Sequence, residues 1–187
     1  MIRGPNEPGT PPGPSEFLPQ AAGIDEVGAR LISPINRAAF DYWLHCRERS
    51  GLDLPRREDI DPLEMRSFLT HVVMLDVQPE PLDFCYRLIG GTVRYHLRSN
   101  HTGLWMSAIP HQKPPSRMFD VCATVVRRRM PVIGDIPYIG PHTEIRTPED
   151  LLMPLSNADG EVAMLFICID YFRKDGRLAE EPSRAIG

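Results

Sequence analysis

The sequence predicts an α+β domain in which a five-stranded antiparallel sheet carries helices across one face and an N-terminal helix caps it. Three observations lead there. Strand-like segments come in pairs joined by turns, residues 70–77 with 84–89 and residues 150–156 with 161–172. Helical patterns lie before the first pair and between the two pairs. The last segment, GluValAlaMetLeuPheIleCysIleAspTyrPhe, is apolar on both faces, as a central strand covered from two sides must be.

Taken in order, residues 1–33 are rich in Pro and Gly, most densely from Pro5 to Pro19, and read as a flexible N-terminal arm because they offer little apolar surface to offset ordering. Ser33 before Pro34 is an N-cap followed by proline at the first helical position, and the helix runs to a Ser50-Gly51 stop. Its apolar residues Ile35, Ala39, Phe40, Trp43, Leu44 and Cys46 form one broad face. That face covers the core in one reading and also meets a second subunit in the other, so Phe40, Trp43 and Leu44 are the candidate cap or dimer residues. Asp61-Pro62-Leu63-Glu64 has the spacing of a capping box and predicts a short helix to about Phe68.

Residues 70–77 are β-branched and apolar, residues 84–89 alternate with a period of two, and GlnProGluProLeuAsp between them is a hairpin loop. Gly90-Gly91 ends the second strand, and a short helix follows over residues 92–98 before a polar loop to Gly103. After Pro114-Pro115, Phe119, Cys122, Ala123, Val126 and Met130 recur on one helical face. The run Arg127 to Arg129 suits a solvated helix C-terminus better than a phosphate site. Strand character returns at residues 132–139, 150–156 and 161–172, and Asn157-Ala158-Asp159-Gly160 supplies the tight turn between the last two. The domain thus spans residues 34–172, with a polar tail over 173–187.

Composition narrows the function classes. A chain of 187 residues with 42% hydrophobic content fills one core, and a net charge of -4 gives no general attraction to nucleic acid or an anionic membrane. The four cysteines, Cys46, Cys85, Cys122 and Cys168, are widely spaced without a CxxC pair, as expected of buried reduced thiols in a cytoplasmic protein. Neither a secretory apolar region nor a membrane-spanning run of apolar residues occurs.

Several segments in sequence carry a resemblance: LeuProArgArgGluAspIleAspProLeuGluMet (54–65), ValMetLeuAspVal (73–77), PheCysTyrArgLeuIleGlyGlyThr (84–92), and GluAspLeuLeuMetProLeuSer with AspGlyGluVal (149–162). In their order and spacing they resemble the short bacterial PAS-like proteins over about residues 34–172. The resemblance implies the PAS fold, a five-stranded sheet whose helices usually enclose a small pocket, used in sensing and in protein association. It also implies a homodimer or a partner signalling protein, and it names no ligand.

Catalytic patterns are missing from the sequence: there is no GxSxG, P-loop, HExxH or Rossmann fingerprint. The six histidines include no HxH or i, i+4 pair, so no local metal site and no enzyme is expected. The Asn-Cys-Arg-Phe pattern of photosensory flavin-binding relatives is absent, and a haem would need an imidazole such as His96 or His111. The cofactor is therefore unknown. The candidate ligand-binding residues are Tyr86, Arg87, Tyr95 and Trp105. Arg87, mid-strand, either pairs with Asp76 or clamps an anionic ligand. Two functions stand open: a sensory or ligand-binding module for a small molecule, acting through a homodimer or separate partner with no output domain in this chain, and a ligand-free interaction scaffold.

Overall fold

The structure, a computed structural model, describes residues 23–179. Its first long helix, α2 (Pro34–Ser50), begins where the sequence places its cap: the Ser33 hydroxyl accepts from the amides of Ile35 and Asn36. Gly51 ends α2 in the left-handed conformation that glycine adopts without a Cβ penalty. Upstream, a part of the expected arm is folded: α1 (Ile24–Arg30) buries Val27, and Leu31 one turn later is buried as well. Gly28 of α1 lies so close to the Phe40 ring that a Cβ would meet it, which is how the two helices approach. Residues 1–22 of the arm predicted for 1–33, and residues 180–187 of the tail predicted for 173–187, lie outside the described residues.

Where the sequence predicts a helix after Asp61, the chain instead makes consecutive turns, Glu64 N–H to Asp61 O, Met65 N–H to Pro62 O and Phe68 N–H to Met65 O. The capping box does not close because its partners are engaged elsewhere. The Asp61 amide donates to the Tyr42 hydroxyl at 2.7 Å, and the Glu64 carboxylate faces Arg49 at 3.3 Å. Half a capping box remains, with the Asp61 side chain accepting from the Leu63 amide.

Five strands form one antiparallel sheet: β1 (Val72–Pro79), β2 (Leu82–Ile89), β3 (Val132–Gly134), β4 (Ile145–Ser156) and β5 (Val162–Arg173), in the order β2-β1-β5-β4-β3. The doubly apolar β5 is the middle strand, as its composition requires. The β4–β5 hairpin turns at Asn157–Gly160, where Gly160 takes φ 83°. Two short helices complete the fold, α3 (Gly91–Tyr95) and α4 (Arg117–Arg128). Strand β3 is shorter than the predicted 132–139 segment, because after Gly134 the chain leaves the ladder and Pro137 has no amide to offer a neighbour.

The two faces of β4 and β5 are covered separately. Register pairs Glu149 with Asp170, Leu151 with Cys168 and Met153 with Phe166 on the face under α2. There Tyr42 meets the Phe166 ring edge-on, Trp43 Nε1 donates to the Pro154 carbonyl at 3.0 Å, and Asn36 Nδ2 donates to Glu149. The alternating residues Asp150, Leu152, Ile167, Ile169 and Tyr171 point to the opposite face, toward α3 and α4.

Candidate functional site

On that opposite face the covering elements do not close down onto the sheet, and a cavity of about 710 Å³ remains. Val73, Tyr86, Ile167, Ile169 and Tyr171 form its floor, with Pro148 and Asp150 from β4 beside them. The cover comes from three sources: Val93 and Leu97 around α3, His101 to Met118 on the way into α4, and residues 136–140 between β3 and β4. The volume falls in the range of small-molecule sites, and most of the lining is apolar.

Tyr86 is held from both ends. Its backbone pairs with the 103–105 segment, the Tyr86 amide donating to Leu104 O at 3.0 Å and the Gly103 amide donating to Tyr86 O at 2.7 Å. Its hydroxyl donates to Gln112 Oε1 at 2.8 Å, and burial pushes that hydroxyl well above its ordinary pKa. The Ser116 hydroxyl, also at the cavity, is committed to its helix: it accepts from the Phe119 amide as the cap of α4 and donates to the Gln112 carbonyl.

Residues 135–142 run over the cavity as a strap, pinned by the end of α3 and by Arg98 just beyond it. Arg98 donates to Ile139 O at 2.9 Å and to Gly140 O at 3.3 Å, and His142 Nε2 donates to Tyr95 O at 3.0 Å. The Tyr95 and His142 rings stack at 4.3 Å. Gly140 is pressed between the His96 carbonyl and the Tyr138 ring, leaving no room for a Cβ. At the strap's other end Arg117 Nε donates to Asp135 O at 3.1 Å.

Among the described residues, three buried polar atoms around this space have no hydrogen-bond partner: Asp150 Oδ2, His101 Nδ1 and His96 Nε2. The Ile136 amide favours the ionised Asp150 carboxylate, yet burial, reinforced by Asp135 and Glu149, raises its pKa to about 7. His96, stacked on Tyr171 at 3.8 Å, is pushed down to about 4 by burial and by His142. His101 is lowered too, by burial and by His111, whose ring lies 5.7 Å away. Both buried imidazoles are therefore neutral at physiological pH.

The candidate residues from the sequence separate in space. Tyr86 lines the cavity. Arg87, its neighbour, points to the other face of the sheet, where Nε bonds both Asp76 carboxylate oxygens at 2.7 and 2.9 Å. Tyr95 is the last residue of α3, half-exposed, with its ring against the strap. Trp105 pairs with Cys85 along the free edge of β2 and is partly exposed, while Met106 beside it is fully buried. Phe40 and Trp43 are buried within this chain beneath α2, and Leu44 packs partly against the same core. Of the two imidazoles considered for haem, His111 lines the cavity and His96 lies behind Tyr171. Among the described residues no group of three His, Cys, Asp or Glu side chains is placed to hold a metal ion, and no helix is long and apolar enough to cross a membrane.

Sequence reasoning missed Asp150, His101, Gln112, Tyr138 and Tyr171. Asp150 did leave a signal, an acid opening the apolar run LeuLeuMetProLeu, and Tyr171 follows from alternation with Ile167 and Ile169. The contributions of His101, Gln112 and Tyr138 come from irregular segments, for which periodicity gives no direction.

Compared with known protein families, residues 32–169 match the family described as PAS domain. Neither the curated proteins nor the solved structures contain a match.

Proposed function

Since the chain belongs to the PAS domain family, a family of sensory and interaction modules, we propose that it is a ligand-binding sensor: a small molecule enters the cavity, and the strap and α3 transmit its presence. The observation that supports this is the cavity of about 710 Å³ lying against the central strand, bounded by Tyr86, Asp150 and Tyr171. A scaffold that used the fold only for association would gain stability by filling such a space.

The proposed role is binding without turnover. Tyr86 is hydrogen-bonded to Gln112, Ser116 caps α4, and burial holds the Cys122 thiol in its protonated form, so these groups serve structure and recognition. Output passes through self-association or a separate partner protein, because the ligand lies inside the domain and can act only by altering what the surface presents.

Native mass spectrometry and absorbance of the chain purified without added ligand test the proposal. A stoichiometric small molecule, or a metabolite that raises the thermal midpoint, is the expected result. A chain that carries none and is stabilised by none of a broad metabolite panel overturns it in favour of the scaffold. Light scattering with size exclusion separates the output routes: a monomer at tens of micromolar, with and without ligand, removes self-association and leaves the partner protein.

A further inference from the structure

The ligand class follows from what the cavity leaves unmatched. Asp150 is 4% exposed, lines the cavity and keeps Oδ2 without a partner. A carboxyl buried in this way, with one oxygen unmatched by the protein and turned to a largely apolar cavity, costs free energy unless a further group completes it. The surrounding charge decides which ligand. Asp135 and Glu149 are the acidic neighbours that act on Asp150, and no cation is among the groups acting on it. The two arginines at the cavity are directed to the strap, Arg98 to Ile139 O and Gly140 O, and Arg117 to Asp135. Tyr86, Tyr138 and Tyr171 add aromatic walls, whose faces attract a cation.

We propose that the cavity binds a small, largely apolar amine whose ammonium group is held by Asp150 Oδ2 and whose apolar body lies on Val73, Ile167 and Ile169. This rests on the ligand-binding reading given above and specifies its chemistry. An anion would face the field of three carboxyl groups, and an alcohol would leave the ionised Asp150 uncompensated, so both bind more weakly.

Calorimetric titration of the full chain with tryptamine, tryptophol and indolepropionate tests this, at about pH 8 so that the ammonium and Asp150 are both charged. Tryptamine is expected to bind at least about tenfold more tightly than the other two, and D150N to lose about tenfold or more of that affinity. The substitution is isosteric and removes an unpaired buried acid, so circular dichroism should show it folded. Independently of any variant, the wild-type Ile136 amide resonance should move on adding tryptamine, because Ile136 lines the cavity and its amide acts on the Asp150 carboxylate. Equal binding of tryptophol or indolepropionate, an unmoved Ile136 resonance, or unchanged tryptamine affinity in D150N overturns the amine assignment while leaving a ligand-binding cavity standing. Binding of none of the three probes also overturns it, and a purified chain that carries no small molecule and is stabilised by none of the metabolite panel then removes the sensor reading as well.

Discussion

Ser33 Oγ donates to Asp170 Oδ2 at 2.6 Å, so the residue that caps α2 is also bonded to the central strand of the sheet. The helix start and β5 are joined by one buried hydroxyl, and Glu149 reinforces the junction by accepting from the Ile32 and Ser33 amides. S33A removes both the cap and a hydrogen bond to a charged group. It should cost about 2–3 kcal/mol in a urea titration, more than an ordinary cap. A loss near 0.5 kcal/mol would mean that α2 is held by packing alone.

The pH dependence of stability should expose two opposed groups. Asp150 has a folded pKa raised to about 7 against an ordinary value of 3.8, so the folded state keeps a proton that the unfolded state has released, and this contribution falls as pH rises through that window. His96 has a folded pKa lowered to about 4 from 6.5, so its contribution falls as pH drops through its own window, and His101 acts in the same direction. The groups that act electrostatically on Asp150 are Tyr86, Tyr171 and Cys122 on its own face of the sheet, with Asp135 on the strap and Glu149 on the opposite face of β4. Stability of the wild type should therefore be nearly flat through the weakly acidic range, where the terms oppose, and decline toward neutrality. D150N should convert the flat region into a rise with pH and be the more stable protein above neutrality, by about 4 kcal/mol at most. Superimposable pH profiles of the two proteins, read by thermal denaturation, would remove Asp150 from this account.

Adjacent glycines should respond in opposite ways. A Cβ on Gly90 would run into the Thr70 carbonyl and the Leu69 oxygen, backbone atoms that cannot move aside, whereas a Cβ on Gly91 meets open space at the start of α3. G90A should cost about 3 kcal/mol, with G91A neutral or stabilising by about 0.5 kcal/mol. Equal midpoints for the two variants in denaturant would refute the close approach.

R87A separates the two roles considered for that residue. Its side chain is 58% exposed, with the guanidinium paired with Asp76 on the face away from the cavity. The substitution should lower stability by less than about 1 kcal/mol and leave ligand affinity unchanged. A marked drop in ligand affinity would bring Arg87 back as a contact.

Much of the fold was legible from residues whose local chemistry has one outcome. Ser33-Pro34 starts a helix, Asp159-Gly160 turns a hairpin, and a segment as apolar as residues 162–169 has to be central. The capping-box motif at Asp61–Glu64 misled because Tyr42 and Arg49, far away in sequence, took the groups the motif needs. In the cavity, alternation along β2 put Tyr86 and Arg87 on opposite faces of the sheet but did not say which of them meets the helices. Asp150 was overlooked because an acid beside Glu149 looks like an exposed strand start until the register with β5 is known.

By itself, then, the sequence determined an α+β domain with a five-stranded antiparallel sheet, the order of its strands along the chain and the interior place of the last one, since periodicity, caps and turns are set by neighbours along the chain. Only the tertiary structure decided that one face of β4 and β5 is sealed by α2 while the other is left with a cavity, that Arg87 turns away from that cavity, and that Asp150 faces it. Those outcomes depend on strand register and on irregular segments such as the 135–142 strap. A one-residue shift in register exchanges every inward side chain for an outward one, and no local pattern fixes where a strap of irregular chain comes to rest.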